Sequence, residues 1–319
     1  VCDVSAISPG FPVRLRPTIK DGDHRTNGGF LITRKLAFLT QRSIKSSLCN
    51  GFFKKQAAFY SIRVNKSDTP SAMSKTAIII PARWASSRLP GKPLLELAGK
   101  PLVQHVWERC RKVREADEVI IATDDMRIAE AAFAFGADVA LTSAKHPTGT
   151  DRIAEVAKKL TGFDVILNVQ GDEPFIEPAL IRRLIEVLQK EKSLAMSTAA
   201  CPLAPGELEN PNCVKVVTGI TGDALYFSRS PIPCDRDGDA SPARFRHLGI
   251  YGYRRKFLLD FVKWKQTPLE KSEKLEQLRS LEHGAKIRVI TTKAGGLGVD
   301  TAEDAKMAAK LLAGGKGKS

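Results

Sequence analysis

Three cations stand close behind one apolar run. The segment "TAIIIPARWASSRLPGKPL" carries an apolar stretch at 76–80 straight into a turn with Arg83, Arg88 and Lys92, flanked by Ser86, Ser87 and Gly91. Guanidinium and ammonium donors beside exposed backbone N–H groups suit a triphosphate. The turn is neither a Walker A loop nor a Rossmann G-x-G-x-x-G: in "LPGKPL" a proline stands where Ser or Thr is required. The plainer account is a solvated basic turn.

Two acidic turns answer the basic one. "NVQGDEP" (168–174) follows the most apolar run in the chain and places Asp172 and Glu173 just past it. A carboxylate there suits Mg²⁺, which takes one or two protein carboxylates and completes its shell with water and phosphate oxygens. The competing account is an ordinary turn leading into a helix at Glu177–Pro178. In "GLGVDTAEDA" (296–305), Thr301 or Asp300 can cap a final helix, with Glu303 and Asp304 in its first turn. The Gly-x-Gly approach to Asp300 is less well explained by capping, so Asp300 is expected as a second Mg²⁺ ligand. "IPCDRD" (232–237) and "RHLGIYGYR" (246–254) contribute Arg236, His247 and Tyr251. No Ser-His-Asp or Cys-His constellation is evident.

Short apolar runs alternating with amphipathic segments must position these residues. Strands are expected at 76–80, 118–122, 138–142, 164–169 and 195–200. Between them lie helical patterns at 101–113, 126–135, 152–160 and 178–190. In 101–113, Leu102, Val103, Val106, Trp107, Cys110 and Val113 form one apolar stripe behind Pro101. This alternation predicts an α/β fold with a mainly parallel, Rossmann-like sheet covered on both faces. Ligands of such sheets sit at the carboxyl ends of the strands, where the turn at 81–92 begins. Between 201 and 255 the pattern loosens into antiparallel-type strands, read as a smaller lobe at about 201–285. A charged helix at 269–283, a strand at 286–292 and a terminal helix from 301 follow.

Composition narrows the function. The chain has 319 residues, 43% hydrophobic and 27% charged, as expected of a soluble globular protein. No run of apolar residues is long enough to cross a membrane as a helix. The net charge is +15, but residues 1–72 hold 12 Lys+Arg against 4 Asp+Glu and so carry +8 of it. The +7 left for 73–319 suits a binder of polyanionic small molecules, and the interleaved aromatics of a nucleic-acid stacking platform are missing. The six cysteines form no C-x-x-C pair or zinc spacing and read as reduced thiols of a cytosolic protein. Residues 1–72 lack a sustained period. They read either as a transit-type presequence or, with Met73 just ahead of the first strand, as an over-extended reading frame, which is the favoured account.

Taken together, "IPARWASSRLPGKPL", "TGTDR", "VQGDEP", "RHLGIYGYR", "LEQLRSLEHG" and "GVDTAED" resemble the 3-deoxy-manno-octulosonate (Kdo) cytidylyltransferases, or CMP-Kdo synthetases, over essentially all of 75–313. The resemblance implies a nucleotide-diphospho-sugar transferase fold, Mg²⁺ dependence and a homodimer in bacterial cytoplasm. An organelle becomes the expectation only if 1–72 is a genuine presequence. The implied reaction joins CTP and Kdo to give CMP-Kdo and pyrophosphate, activating Kdo for lipopolysaccharide. Position by position, Ala82, Arg83, Arg88 and Lys92 would hold the triphosphate. Thr123, Asp124 and Asp125, with Thr148, Gly149, Thr150 and Asp151, would surround the cytidine. Asp172 and Asp300 would bind Mg²⁺. Gln170, Arg236, His247, Tyr251, Glu276 and Gln277 would line the sugar site. Arg83, Lys92, Asp172 and Asp300 are the expected catalytic set.

The chain departs from the family pattern at Thr148, where Ser is common, at Cys234, where an aromatic is usual, and at Ala302, where Pro is usual. Cys234 adjoins Arg236 and so bears on sugar identity. The nearest rival is a cytidylyltransferase for another ulosonic or sialic acid. A regulatory protein that kept the fold without catalysis and an RNA-binding role for 1–72 are more distant alternatives.

Overall fold

The computed structural model describes residues 74–85, 89–237 and 243–314. Residues 1–72, Met73 and Arg88 lie outside the described residues, and so do the expectations attached to them.

The first strand, β1 (Lys75–Ala82), shows how the sheet is built. Its side chains alternate between faces, and both faces are apolar: Ile78, Ile80 and Ala82 point one way, Ala77 and Ile79 the other, all 3% exposed or less. A hairpin of β2 (Glu96–Leu97) and β3 (Lys100–Pro101) leads into α1 (Leu102–Cys110). Strand β4 (Glu118–Thr123), helix α2 (Met126–Ala134) and strand β5 (Asp138–Leu141) follow. Then come α3 (Gly149–Lys159), β6 (Phe163–Asn168), α4 (Pro178–Lys190) and β7 (Met196–Pro202). One core joins Ile78 and Ile80 to Val103, Val106, Ile128, Ile181 and Leu184; the other joins Ala77 and Ile79 to Ile153, Val156 and Ala157. Truncating Ile79 to Ala would therefore cost about 2–5 kcal/mol.

Strand β1 pairs in parallel with β4 and β6, and β4 in parallel with β5. Ala82, Thr123 and Leu141 lie side by side in the register, so the turns that follow these strands open on one edge of the sheet. That edge is where the candidate residues of the first turn begin.

Strands β8 (Lys215–Thr218), β9 (Ala224–Ser228) and β10 (Phe245–Arg254) are antiparallel, as expected. They are not detached from the main sheet. The sheet runs β11-β7-β10-β6-β1-β4-β5, where β11 is Ile287–Thr291, and β10 sits between β6 and β7, antiparallel to both. The register of β10 on β7 slips between Leu248 and Tyr251, a bulge that re-aims the side chains around it.

The helix expected over 269–283 is two helices. After α5 (Arg255–Phe261) come α6 (Pro268–Glu273) and α7 (Gln277–Glu282). Lys274 between them is left-handed, φ 54°, and breaks the helical path. The last helix, α8 (Ala302–Gly314), is pinned to the β2–β3 hairpin through Leu97, Leu102, Val299, Ala305 and Ala308. No helix among the described residues is long and apolar enough to cross a membrane. All four described cysteines are free; Cys110, Cys201 and Cys213 are buried and Cys234 is exposed.

Candidate functional site

Three segments far apart in the chain meet at Lys92. Its Nζ lies 2.6 Å from Asp172 Oδ2 and donates to Asp300 Oδ1 at 3.0 Å. Glycines make this meeting possible. Gly91 is left-handed, φ 71°, and starts the single 3-10 turn 92–94 that sets Lys92; a Cβ there would press on the Trp84 ring at 2.9 Å. Gly171 lets the turn after β6 cross the end of β1, since a Cβ would stand 3.0 Å from the Pro81 carbonyl. Gly296 and Gly298 let the final strap lie over Glu173, and Val299 N–H donates to the Asp172 carbonyl at 2.9 Å. The Gly-x-Gly approach therefore brings Asp300 to Asp172. Capping of α8 falls to its neighbours: Thr301 Oγ1 accepts from Asp304 N–H, and Asp304 Oδ2 accepts from the N–H groups of Asp300 and Thr301.

Electrostatics follow from that geometry. Burial works against the charge on Lys92, but the Asp172 and Asp300 carboxylates outweigh it and hold the ammonium above the usual lysine range. Burial, with Asp172 and Asp300 adding repulsion, pushes the Glu173 carboxyl up to about 7. Two carboxylates gathered around one cation suit Mg²⁺, with phosphate and water oxygens completing its shell. Among the described residues there is no cluster of three or more His, Cys, Asp or Glu that could hold a metal ion.

On the expected nucleotide side, Ala82 is the buried last residue of β1 and Arg83 is exposed just beyond it. Thr123 Oγ1 accepts from Asp125 N–H at 3.2 Å. Asp125 caps α2 through Arg127 N–H and grips the Arg127 side chain, which burial only partly opposes in holding its carboxyl below the usual range. Arg127 in turn lies over the Trp84 ring, 3.3 Å from its centroid, and ties α2 to the first turn. The "TGTDR" segment is the start of α3, three residues earlier than its apolar pattern indicates, because Thr148 is its cap. Gly149 sits against Pro81, where even a Cβ would keep ordinary contact at 3.5 Å.

On the expected sugar side, β10 places Tyr251 opposite both Asn168 and Thr198. Gln170 donates to Asn168 Oδ1 at 3.2 Å. His247 Nε2 meets Thr198 Oγ1 at 2.8 Å, and its ring lies 5.4 Å from that of Tyr251. Burial pushes the imidazole down to about 3, so it is neutral at neutral pH. Burial and the nearby Glu276 carboxylate push the Tyr251 phenol up. Gln277 is 3% exposed, and its Nε2 finds no hydrogen-bond partner among the described residues. Glu276 accepts from Thr150 at 2.6 Å and so touches the segment expected around the cytidine. Arg236 is different: its side chain is 93% exposed, with Asp237 as its neighbour at 3.7 Å. No hydrogen bond or ion pair among the described residues joins Arg236 to His247 or Tyr251.

Two supporting side chains escaped the sequence reading. Arg152 is 3% exposed and stands 3.2 Å from Asp124 while donating to Thr142 Oγ1 at 2.5 Å. A charge one turn before Val156 on the apolar stripe of α3 is the signal that points to it. Lys215 is fully buried, its ammonium capped by the carbonyls of Asn210, Cys213 and Arg229 at 3.0, 2.8 and 2.5 Å. A lysine inside the apolar run "CVKVV" is the corresponding hint.

Comparison with known proteins identifies the family and the fold. The Cytidylyltransferase family model matches residues 77–287. A 3-deoxy-manno-octulosonate cytidylyltransferase from Geobacter metallireducens is 52% identical over 241 residues, covering 72% of this chain and 94% of its own. One from Anaeromyxobacter sp. (strain Fw109-5) is 51% identical over 244 residues, covering 76% and 99%. Among solved structures, CMP:2-keto-3-deoxy-manno-octonic acid synthetase complexed with CTP superimposes with a TM-score of 0.74 at 42% identity, covering 76% of this chain and all of the other. A cytidylyltransferase from Leptospira borgpetersenii, 18% identical with a TM-score of 0.53, shares the fold over 76% of this chain and 87% of its own.

Proposed function

The chain belongs to the family of 3-deoxy-manno-octulosonate cytidylyltransferases, and from that premise we propose that it transfers CMP from CTP to the anomeric hydroxyl of Kdo. The hydroxyl oxygen bonds to the α-phosphorus, the bond to the β-phosphate oxygen breaks, and pyrophosphate leaves. The observation that carries this reading is the meeting of Lys92 with Asp172 and Asp300 at the carboxyl edge of the sheet.

Two anions must meet for this reaction, so charge has to be neutralised before positioning can help. Arg83, at the open edge beyond β1, and Lys92, with its ammonium already fixed, supply positive charge to the triphosphate. Asp172 and Asp300 would hold Mg²⁺, which when bound screens the phosphates and the acidic sugar from each other. Gln170, Tyr251 and Gln277 offer hydrogen bonds to the sugar, and the buried, unpartnered amide of Gln277 is suited to a polyhydroxylated ligand. His247 is held neutral, which suits a hydrogen-bonding role better than that of a fixed cation. Transfer of this kind depends on alignment and charge stabilisation, and no covalent nucleophile is called for.

Residues 73–319 form the catalytic unit; Arg88 and Arg236 contribute to the triphosphate and sugar sites respectively; the product serves lipopolysaccharide assembly in the cytoplasm. A homodimer is supported by the exposed Ile220 and Leu225 on the β8–β9 hairpin. A different ulosonic or sialic acid as acceptor is favoured only by Cys234, exposed beside Arg236. The test is pyrophosphate release by the full chain with CTP and Mg²⁺, with Kdo, a sialic acid or no acceptor. Release that requires Kdo and Mg²⁺ supports the proposal. Release with sialic acid alone transfers it to the alternative acceptor, and none with any acceptor refutes it.

A further inference from the structure

Glu276 stands between two groups of residues. It precedes α7, in the region expected to bind sugar, yet its carboxylate faces the start of α3. Thr150 Oγ1 donates to Glu276 Oε2 at 2.6 Å, and Thr148 Oγ1 lies 3.3 Å from Oε1. These contacts span 126 and 128 residues of sequence. We propose that Glu276 is a positioning residue for the nucleotide loop, so that the sugar side of the site sets the affinity for CTP before any sugar binds. The proposal rests on the cytidylyltransferase reading.

Each partner of the carboxylate is itself held. Thr148 caps α3, donating to Asp151 Oδ2 at 2.7 Å and accepting from Asp151 N–H at 3.2 Å. Gly149, between the two threonines, sits beside Pro81 at the exit of β1. A shift of 148–150 would therefore be felt at the strand end that leads to Ala82 and Arg83. Behind Glu276, Arg279 Nη2 stands 3.5 Å away. Arg279 is anchored in turn: it holds Glu270 at 2.6 and 2.8 Å in a buried pair and lies over the Phe261 ring. The carboxylate thus has a rigid mount on the α6–α7 side and the Thr150 hydroxyl as its donor on the α3 side, with the Thr148 hydroxyl oxygen close by.

A hydroxyl bonded to a carboxylate has its proton committed and its lone pairs turned elsewhere. Removing the negative charge weakens that hold, because a charge-assisted hydrogen bond is about twice as strong as a neutral one. A sugar that engages Glu276 must share it with Thr150, so CTP and sugar affinities are linked by one coupling factor acting in both directions.

The experiment is calorimetric titration of CTP with Mg²⁺ into the full chain, with no sugar present. Glu276→Gln and Thr150→Val should each weaken CTP binding by about 5- to 10-fold. Thr150→Ser should stay within about 2-fold of the unaltered protein, and the double variant should be no weaker than either single one. Thermal unfolding of each variant verifies folding, and if Glu276→Gln fails to fold, the Thr150→Val and Thr150→Ser pair decides alone. Unaltered CTP affinity in Glu276→Gln, or failure of Thr150→Ser to restore it, overturns the inference and leaves the transfer reaction standing. Absence of CTP binding by the unaltered protein overturns both.

Discussion

Replacing Lys92 with Met should make the nucleotide-free protein a better binder of divalent metal. Asp172 Oδ2 and Asp300 Oδ1 lie 2.6 and 3.0 Å from one ammonium nitrogen. Their own separation is therefore under about 6 Å, where two unit charges repel by roughly 3 kcal/mol at an effective dielectric constant of about 20. Solvent reduces this, because the Asp172 and Asp300 side chains are 31% and 50% exposed. About 1 kcal/mol survives such screening. Lys92 cancels that repulsion in the free protein and stands where a metal would be drawn. Without it, the carboxylates can relieve their repulsion by taking up a cation, so affinity for Mn²⁺ alone should rise by at least about 5-fold. Titration followed by electron paramagnetic resonance measures free Mn²⁺ directly. The same variant should bind CTP more weakly, which separates the effect from a general gain in affinity. Equal or weaker Mn²⁺ binding by a folded Lys92→Met protein would refute the idea that lysine and metal compete for one place.

Three further outcomes follow from the same geometry. Asp300→Asn should lower turnover by at least about 100-fold while leaving the unfolding temperature nearly unchanged, as for loss of one transition-state contact; near-normal turnover would remove Asp300 from the catalytic set. Asp304→Ala deletes the acceptor for the Asp300 and Thr301 N–H groups, and calorimetry should show a loss of about 1 kcal/mol of stability. Glu173 titrates near 7 when folded, against an ordinary value of 4.5, so between these the folded state holds the extra proton. Stability should then fall as pH rises through that window, and Glu173→Gln should flatten the slope; an identical slope in the variant would contradict the assignment.

Much of the parallel half of the fold was readable in advance. A continuous β-branched run such as that of β1 suits a strand buried on both faces, and α4 lies at 178–190, as its apolar period indicates. Boundaries failed where caps or backbone strain took over from apolar spacing. Thr148 starts α3 early because its hydroxyl takes the Asp151 N–H, and left-handed Lys274 splits one expected helix into α6 and α7. The antiparallel region was harder. A period of two marks a strand but says nothing about its neighbours, so the central place of β10 could not be read from 245–254.

The same division runs through the site. Residue types and their order determined the chemistry by themselves: a basic turn after one strand, carboxylates after another, and a Gly-x-Gly approach to a third acidic position. The tertiary structure decided which of these groups meet. It set Lys92 between Asp172 and Asp300, moved Glu276 onto Thr150, left Arg236 on the surface, and buried Arg152 beside Asp124. These are contacts between segments as many as 208 residues apart. Local spacing cannot encode such contacts, because they depend on how the strands order in the sheet and on where glycines allow one backbone to cross another.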